Sequence, residues 1–238
     1  MTHRYFVDMP ITQEMATLSG SEAHHLLHVM RAKPGDKVIL FDGSGDEFPA
    51  QVEVLHRSKA DLVVLGRESV DRELPCALIL GVALPKGDRQ RWLVEKVVEL
   101  GVSRLIPLET TQSVAQPTAK AVERLQRAVI EASKQCGRNR LMEIAPPRAW
   151  KDFLTSSADA PVRLVAHPSP EAAPPGIPRP ASGPIVLAIG PEGGLTDDEV
   201  AQATSLGWRP TTLGPRILRI ETAALALVAT VAMNLENC

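Results

Sequence analysis

Three kinds of stretch in this chain combine residue types and spacings that can do chemistry. The first is Ile189-Gly190-Pro191-Glu192-Gly193-Gly194. Its glycines permit positive φ and let backbone N–H groups approach a ligand with no Cβ in the way. The spacing lacks the lysine of GxxxxGK[ST], which excludes a phosphate loop. A tight strand-to-helix turn would use the same residues. The second is Leu213-Gly214-Pro215-Arg216-Ile217-Leu218-Arg219-Ile220-Glu221-Thr222-Ala223, where two arginines and a carboxylate lead into an apolar run. Glu221 or Thr222 as a helix cap, with Arg219 as its partner, explains the end of this stretch but not the Gly-Pro-Arg segment before it. The third kind is basic: Lys86-Gly87-Asp88-Arg89-Gln90-Arg91 and Lys134-Gln135-Cys136-Gly137-Arg138-Asn139-Arg140. Both suit contact with phosphate or an RNA backbone, and a solvated helix end looks the same.

Weaker patterns carry less. Gly43-Ser44-Gly45 lacks the third glycine and following helix of a dinucleotide fingerprint and reads as a hairpin turn. His24, His25 and His28 include an i, i+4 pair, but no carboxylate stands at matching spacing, so no metal site is expected. Cys76, Cys136 and Cys238 show no CxxC spacing, which fits a reducing compartment.

The elements that must position these residues fall into two kinds. Lys37–Phe41, a turn at 42–45, Glu47–Leu55 and Asp61–Gly66 read as short strands of a small barrel. A helix over Ser21–Arg31, capped by Ser21, interrupts them. From residue 76 the pattern alternates: strands at Ala77–Ala83, Arg104–Leu108, Val162–Ala166 and Ile185–Ile189, helices at Arg89–Leu100 and Ala121–Gly137. Thr196-Asp197-Asp198-Glu199 is a capping box that opens a further helix. Glu221–Leu235 closes the chain as a helix apolar around much of its surface. Pro161–Pro184 holds eight prolines in 24 residues and reads as an extended loop beyond its strand. The two glycine-bearing loops follow strands, so they can meet at the carboxyl edge of an α/β sheet, where ligands bind.

Charge divides the chain in the same place. Residues 1–73 hold 8 basic and 12 acidic side chains, whereas 86–140 hold 11 basic and 6 acidic. Two domains are expected, 1–73 and 74–238. A net charge of −2 excludes a uniformly basic nucleic-acid coat, and 3% aromatic residues leave little for base stacking. The longest apolar stretch, Ala223–Met233, is far short of the roughly 20 residues of a spanning helix. With no apolar leader at the N-terminus, a soluble cytoplasmic protein is expected.

Taken together the motifs resemble the SPOUT methyltransferases, and within them the bacterial small-subunit ribosomal RNA uridine-N3 methyltransferase (RsmE) family. The resemblance runs through His25–Arg31, Leu40–Gly43, Lys86–Arg89, Glu99–Val102, Gln135–Arg138, Ile189–Gly194 and Leu213–Arg219. It implies an N-terminal PUA-like β-barrel, a C-terminal SPOUT α/β domain with a trefoil knot, and a homodimer. It also implies S-adenosylmethionine as cofactor and ribosomal RNA or the small ribosomal subunit as partner. The cofactor would be held by Leu164, Ala166 and His167, by Ile189, Gly190, Pro191, Glu192, Gly193 and Gly194, and by Leu213, Gly214, Ile217, Leu218, Ile220, Thr222 and Ala223. Two departures stand out. The family usually has Thr where this chain has Ile220, and often Glu-Arg-Ser where this chain has Thr111-Gln112-Ser113.

Methylating uridine N3 requires loss of its proton and stabilisation of the charge that develops on the ring. Arg219 and Arg138 are the candidates for that role, and Glu221 is a candidate base or a partner that orients Arg219. Arg4, Arg31, Lys86, Arg89, Arg91 and Arg140 are expected to hold RNA. A SPOUT enzyme acting on a ribose 2′-hydroxyl, a non-catalytic RNA-binding protein of this fold and a nucleotide-binding enzyme with an ordinary open sheet remain as alternatives.

Overall fold

The computed structural model describes residues 3–113, 118–168, 180 and 182–236. Part of the proline-rich stretch (169–179 and 181) and Cys238 lie outside the described residues. The chain divides into two compact units, Met1–Glu73 with Ser133–Leu141, and Leu74–Ala132 with Met142–Cys238. The segment 133–141, which charge and sequence order put in the second domain, clusters with the first.

The first unit is a six-stranded sheet: β1 (Arg4–Phe6), β2 (Met15–Leu18), β3 (Lys37–Phe41), β4 (Asp46–Leu55), β5 (Ala60–Val64) and β6 (Glu68–Ser69). The pairing path runs β1-β3-β4-β5-β2, with β6 on β4, and its two ends do not pair, so the sheet is a half-barrel. Alternation puts Val38, Leu40, Phe48, Ala50, Val52 and Leu62 on the inner face with Tyr5 and Leu26. The expected helix is shorter and irregular. Helix α1 spans Gly20–His24 and continues as a π-helical turn over His25–Val29. Its N-cap is Ser19, not Ser21, and no side chain caps it.

Charged pairs tie 133–141 to this sheet. Glu47, 6% exposed, accepts from Arg4 Nη1 at 2.9 Å and from Arg72. Burial alone would raise the Glu47 pKa, but the two guanidiniums outweigh it and hold the carboxyl below its usual range. Asn139 accepts from Arg4 and donates to the Val70 carbonyl at 3.1 Å. Lys134 donates to Glu22 at 2.9 Å.

The second unit is a parallel seven-stranded sheet. Its elements are β7 (Leu78–Val82), α2 (Arg89–Glu99), β8 (Arg104–Glu109), α3 (Ala119–Cys136, whose last turn lies in the first unit), β9 (Glu143–Ile144), β10 (Arg148–Ala149), α4 (Trp150–Ser156), β11 (Val162–Ala166), β12 (Ile185–Ile189), α5 (Asp197–Ser205), β13 (Arg209–Thr211) and α6 (Ile220–Glu236). The strand order is β10-β8-β7-β12-β11-β13, with β9 on β8. Helices α4 and α5 cover one face through Trp150, Phe153, Leu154 and Ala203, packed on Ile106, Val165, Val186 and Ala188. The alternate residues of β12, Leu187 and Ile189, face the other side, where α6 packs on β12 and on α2. Every residue of β12 is buried, which is why this strand reads as an uninterrupted apolar run.

Candidate functional site

Three parallel strands stop at one edge of the second unit. Ala166 closes β11, Ile189 closes β12 and Thr211 closes β13. The loops beyond them enclose an open cleft of about 660 Å³, counting space continuous with solvent. Its walls are Ala166–Pro168, Ile189–Glu192, Gly194, Leu195, Thr211, Leu213, Gly214, Arg216–Leu218, Ile220 and Ala223.

Local sequence shapes each wall. Gly194 sits at φ +82°, with its N–H donating to the Pro191 carbonyl at 2.9 Å, and closes the turn after β12. Gly214, at φ +102°, donates to Thr212 Oγ1 at 3.3 Å. A Cβ on Gly190 would meet Leu195 Cγ at 2.8 Å, so the wall can sit this close only because residue 190 is glycine. Behind the loop, Thr196 and Glu199 form the capping box of α5. The Glu199 carboxylate, 7% exposed, also accepts from the Thr111 amide at 2.8 Å and the Thr111 hydroxyl at 3.1 Å. The Trp150 indole donates to the Glu199 carbonyl at 3.1 Å. Burial pushes the Glu199 pKa up, but these hydrogen bonds outweigh it and the carboxyl lies below its usual range. The loop is thus pinned to the end of β8.

One ion-pair chain borders the cleft. Arg89, at the start of α2, lies 3.5 Å from Glu192 and 3.5 Å from Glu221 Oε1. Glu221 is 7% exposed, and its buried Oε2 accepts no hydrogen bond among the described residues. Helix α6 opens with the Ala223 amide donating to the Arg219 carbonyl at 2.9 Å. Glu221 and Thr222 therefore sit in its first turn rather than at its cap.

A glycine-shaped, mainly apolar cleft at strand ends is where an α/β sheet holds a small ligand. The chain matches the model of the RNA methyltransferase domain over residues 72–232 and that of the RNA methyltransferase PUA domain over 18–65. It is 30% identical to the ribosomal RNA small subunit methyltransferase E of Bacillus subtilis, over 98% of this chain and 97% of that one. It is 34% identical to the protein of the same name from Synechocystis, over 95% and 76%. The crystal structure of ribosomal RNA small subunit methyltransferase E from Neisseria gonorrhoeae, bound to S-adenosylmethionine, superposes with a TM-score of 0.89 at 32% identity, covering 98% of each chain.

The chain belongs to the ribosomal RNA small subunit methyltransferase E family.

Within that family membership, thirteen of the sixteen residues expected at the cofactor line the cleft. Leu164, Gly193 and Thr222 do not. Leu164 is 1% exposed, two residues back in β11. Gly193 faces Gln112, whose Oε1 a Cβ there would strike. Thr222 is exposed on α6. Pro168, Leu195, Thr211 and Arg216 line the cleft and were missed. Thr211 ends β13, a three-residue strand with no apolar run to reveal it. Ile220 is 3% exposed and extends the apolar wall, and Gln112 packs on the glycine loop.

Four of the candidate arginines have partners within the chain. Arg138 is 3% exposed in the first unit, with Nε donating to Glu73 Oε1 at 3.0 Å and Nη2 to Glu73 Oε2 in a buried bidentate pair. Arg4 is bound to Glu47 and Asn139, with its guanidinium 5.2 Å from the centre of the Phe41 ring, and is largely shielded from an RNA strand. Arg89, partly exposed, lies within ion-pair reach of both Glu192 and Glu221. Arg91 pairs with Glu95 at 2.7 Å on the exposed face of α2. Arg31, Lys86, Arg140 and Arg219 are exposed, and Arg219 stands between two cleft residues, Leu218 and Ile220.

Proposed function

We propose that this chain binds S-adenosylmethionine in the cleft at the ends of β11, β12 and β13 and methylates N3 of a uridine in 16S ribosomal RNA of the small subunit. The observation that carries the reading is the cleft itself, in a chain that matches the family from end to end. Its apolar walls at Ile189, Leu213, Leu218, Ile220 and Ala223 suit an adenine ring, and the close backbone at Gly190, Gly194 and Gly214 suits its polar substituents.

When bound, the cofactor supplies an electrophilic methyl on a sulfonium. The chain's task is to hold the base in line with that methyl and to take the N3 proton, because positioning supplies much of such a barrier. Arg219, exposed between the cleft residues Leu218 and Ile220, is the candidate to stabilise the charge that develops on the ring and its carbonyl oxygens. Glu221 is the candidate acceptor of the proton. Arg31, Lys86, Arg140 and, through the donors that its pair with Glu95 leaves, Arg91 are the exposed candidates to follow an RNA backbone. Domains of 1–73 and 74–238, a cytoplasmic location, a homodimer and a trefoil knot in the second domain complete the reading. Nucleoside mass analysis of ribosomal RNA from cells with and without the gene tests it. Loss of one 3-methyluridine from the small-subunit RNA is expected, and an unchanged nucleoside profile overturns it.

A further inference from the structure

One residue of the cleft is out of keeping with the rest. Ile217 lines it and is 92% exposed, whereas Ile189, Thr211 and Ile220 in the same walls are buried. An aliphatic side chain can do both only at the rim, where the cleft opens to solvent. A lone exposed isoleucine is ordinary on a protein surface. The neighbours make this one different. Pro215, Arg216 and Arg219 are exposed with it. Neither guanidinium has an ion pair or a side-chain hydrogen bond among the described residues. The loop thus presents an apolar tip between two unpaired cations, with no carboxylate between Thr211 and Glu221. No Phe, Tyr or Trp is among the described residues that line the cleft.

We infer that Ile217 is a substrate contact, whose side chain packs on the face of the base that receives the methyl once that base has left the RNA stack. The inference rests on the reading of this chain as a methyltransferase that acts on a base. A base within a stack keeps both faces covered by its neighbours, and an enzyme that works on it must draw it out. The stacking lost in that step is made good by aromatic or apolar side chains around the extruded base. In this cleft the apolar side chains are aliphatic, and Ile217 is the one that keeps almost all of its surface free. The alternative cover for this tip is a second copy of the chain. A second copy would have to strip water from two guanidiniums with no carboxylate in the loop to repay them. An RNA strand brings its own phosphates to the same arginines.

Ile217→Ala, with Ile217→Leu as the conservative variant, tests this on small subunits from cells lacking the gene. Both variants should fold, since so exposed a side chain holds nothing in place. Affinity for the subunit as a whole comes mainly from charge, so the loss should fall on the step that needs the base out of the stack. The saturating single-turnover rate of methylation is expected to drop about three- to tenfold in Ile217→Ala, the weight of one aliphatic contact. The half-saturating subunit concentration, and the S-adenosylmethionine affinity by calorimetry, should each change by less than about twofold. Ile217→Leu should recover most of the rate, and light scattering should give the same mass for all three proteins. An unchanged rate, or a loss confined to half-saturation or to cofactor affinity, overturns the inference. A smaller mass for Ile217→Ala also overturns it and makes Ile217 a contact between copies. Wild-type protein that transfers no methyl to a base would instead overturn the reading of the reaction, and this inference with it.

Discussion

At the scale of single residues, carboxylates organise the second unit more than its arginines do. Glu199 caps α5 with one oxygen and fastens the end of β8 with the other, all at 7% exposure. Its folded-state pKa lies below the usual range, so the stability it contributes is complete above that range and drains away as pH falls through the lowered value. Glu199→Gln should therefore cost about 2–3 kcal/mol near neutral pH, the weight of charge-assisted hydrogen bonds in a cap. The two proteins should converge in acid, which urea titrations at pH 7 and below pH 4 would measure. A gap that stays constant with pH would remove the carboxylate from this role. The capping box was legible in Thr196-Asp-Asp-Glu199 because both partners are local in sequence. The Thr111 contact, 88 residues away, was not. The same distinction explains the arginines. Arg138 read as a stabiliser of charge on the reacting base, and Arg4 as an RNA ligand, because a basic residue shows its charge in the sequence and hides its partners. Glu73 and Glu47, far along the chain, neutralise them.

At the scale of elements, the residue pattern located eight of the twelve helices and strands of the second unit to within a residue or two, where strands are buried on both faces and helices carry an apolar face, and missed the short β9, β10, α4 and β13. What the pattern could not show is which elements touch. Gly81, inside β7, is an example: it gives up a side chain so that the Phe153 ring of α4 can lie against the sheet. A Cβ there would stand 2.8 Å from two ring atoms. Gly81→Ala is expected to destabilise the protein by about 1–3 kcal/mol through overpacking. Combining it with Phe153→Leu should recover part of that loss. Additive losses in denaturant titrations would show that the two positions do not meet. Elements with no periodicity fared worse. The α1 segment turns into a π-helical turn and then places Arg31 at φ +52°, irregularities that hydrophobic spacing cannot report. Strand β13 holds only Arg209–Thr211, too short for a period, although Thr211 ends at the cleft.

At the scale of the whole molecule, α6 bears on assembly. One side packs on β12 and α2 through Ala224, Leu227, Val228 and Val231, all buried. The opposite side carries Met233 at 60% exposure, with Leu225, Ala226 and Ala229 half-buried, and Trp92 of α2 is 44% exposed. An apolar stripe on a helix that already has one packed face favours a second copy as its cover. Light scattering should give twice the chain mass of 25.7 kDa, and Met233→Glu should shift the protein toward the single-chain value. A wild-type monomer at micromolar concentration would contradict the dimer. The family was legible across the whole chain because its motifs recur in order, whereas the attachment of 133–141 to the first unit depends on pairs between distant residues and appears only in three dimensions. The proposed reaction is methyl transfer to one atom of one base. Purified protein, methyl-labelled S-adenosylmethionine and small subunits from cells lacking the gene test it most directly, with digestion to nucleosides and reverse transcription of the product. The label is expected in 3-methyluridine, with a reverse-transcription stop at a single uridine of the 16S RNA. Label on a ribose 2′-oxygen that reverse transcriptase reads through, or no label in the RNA, would contradict it.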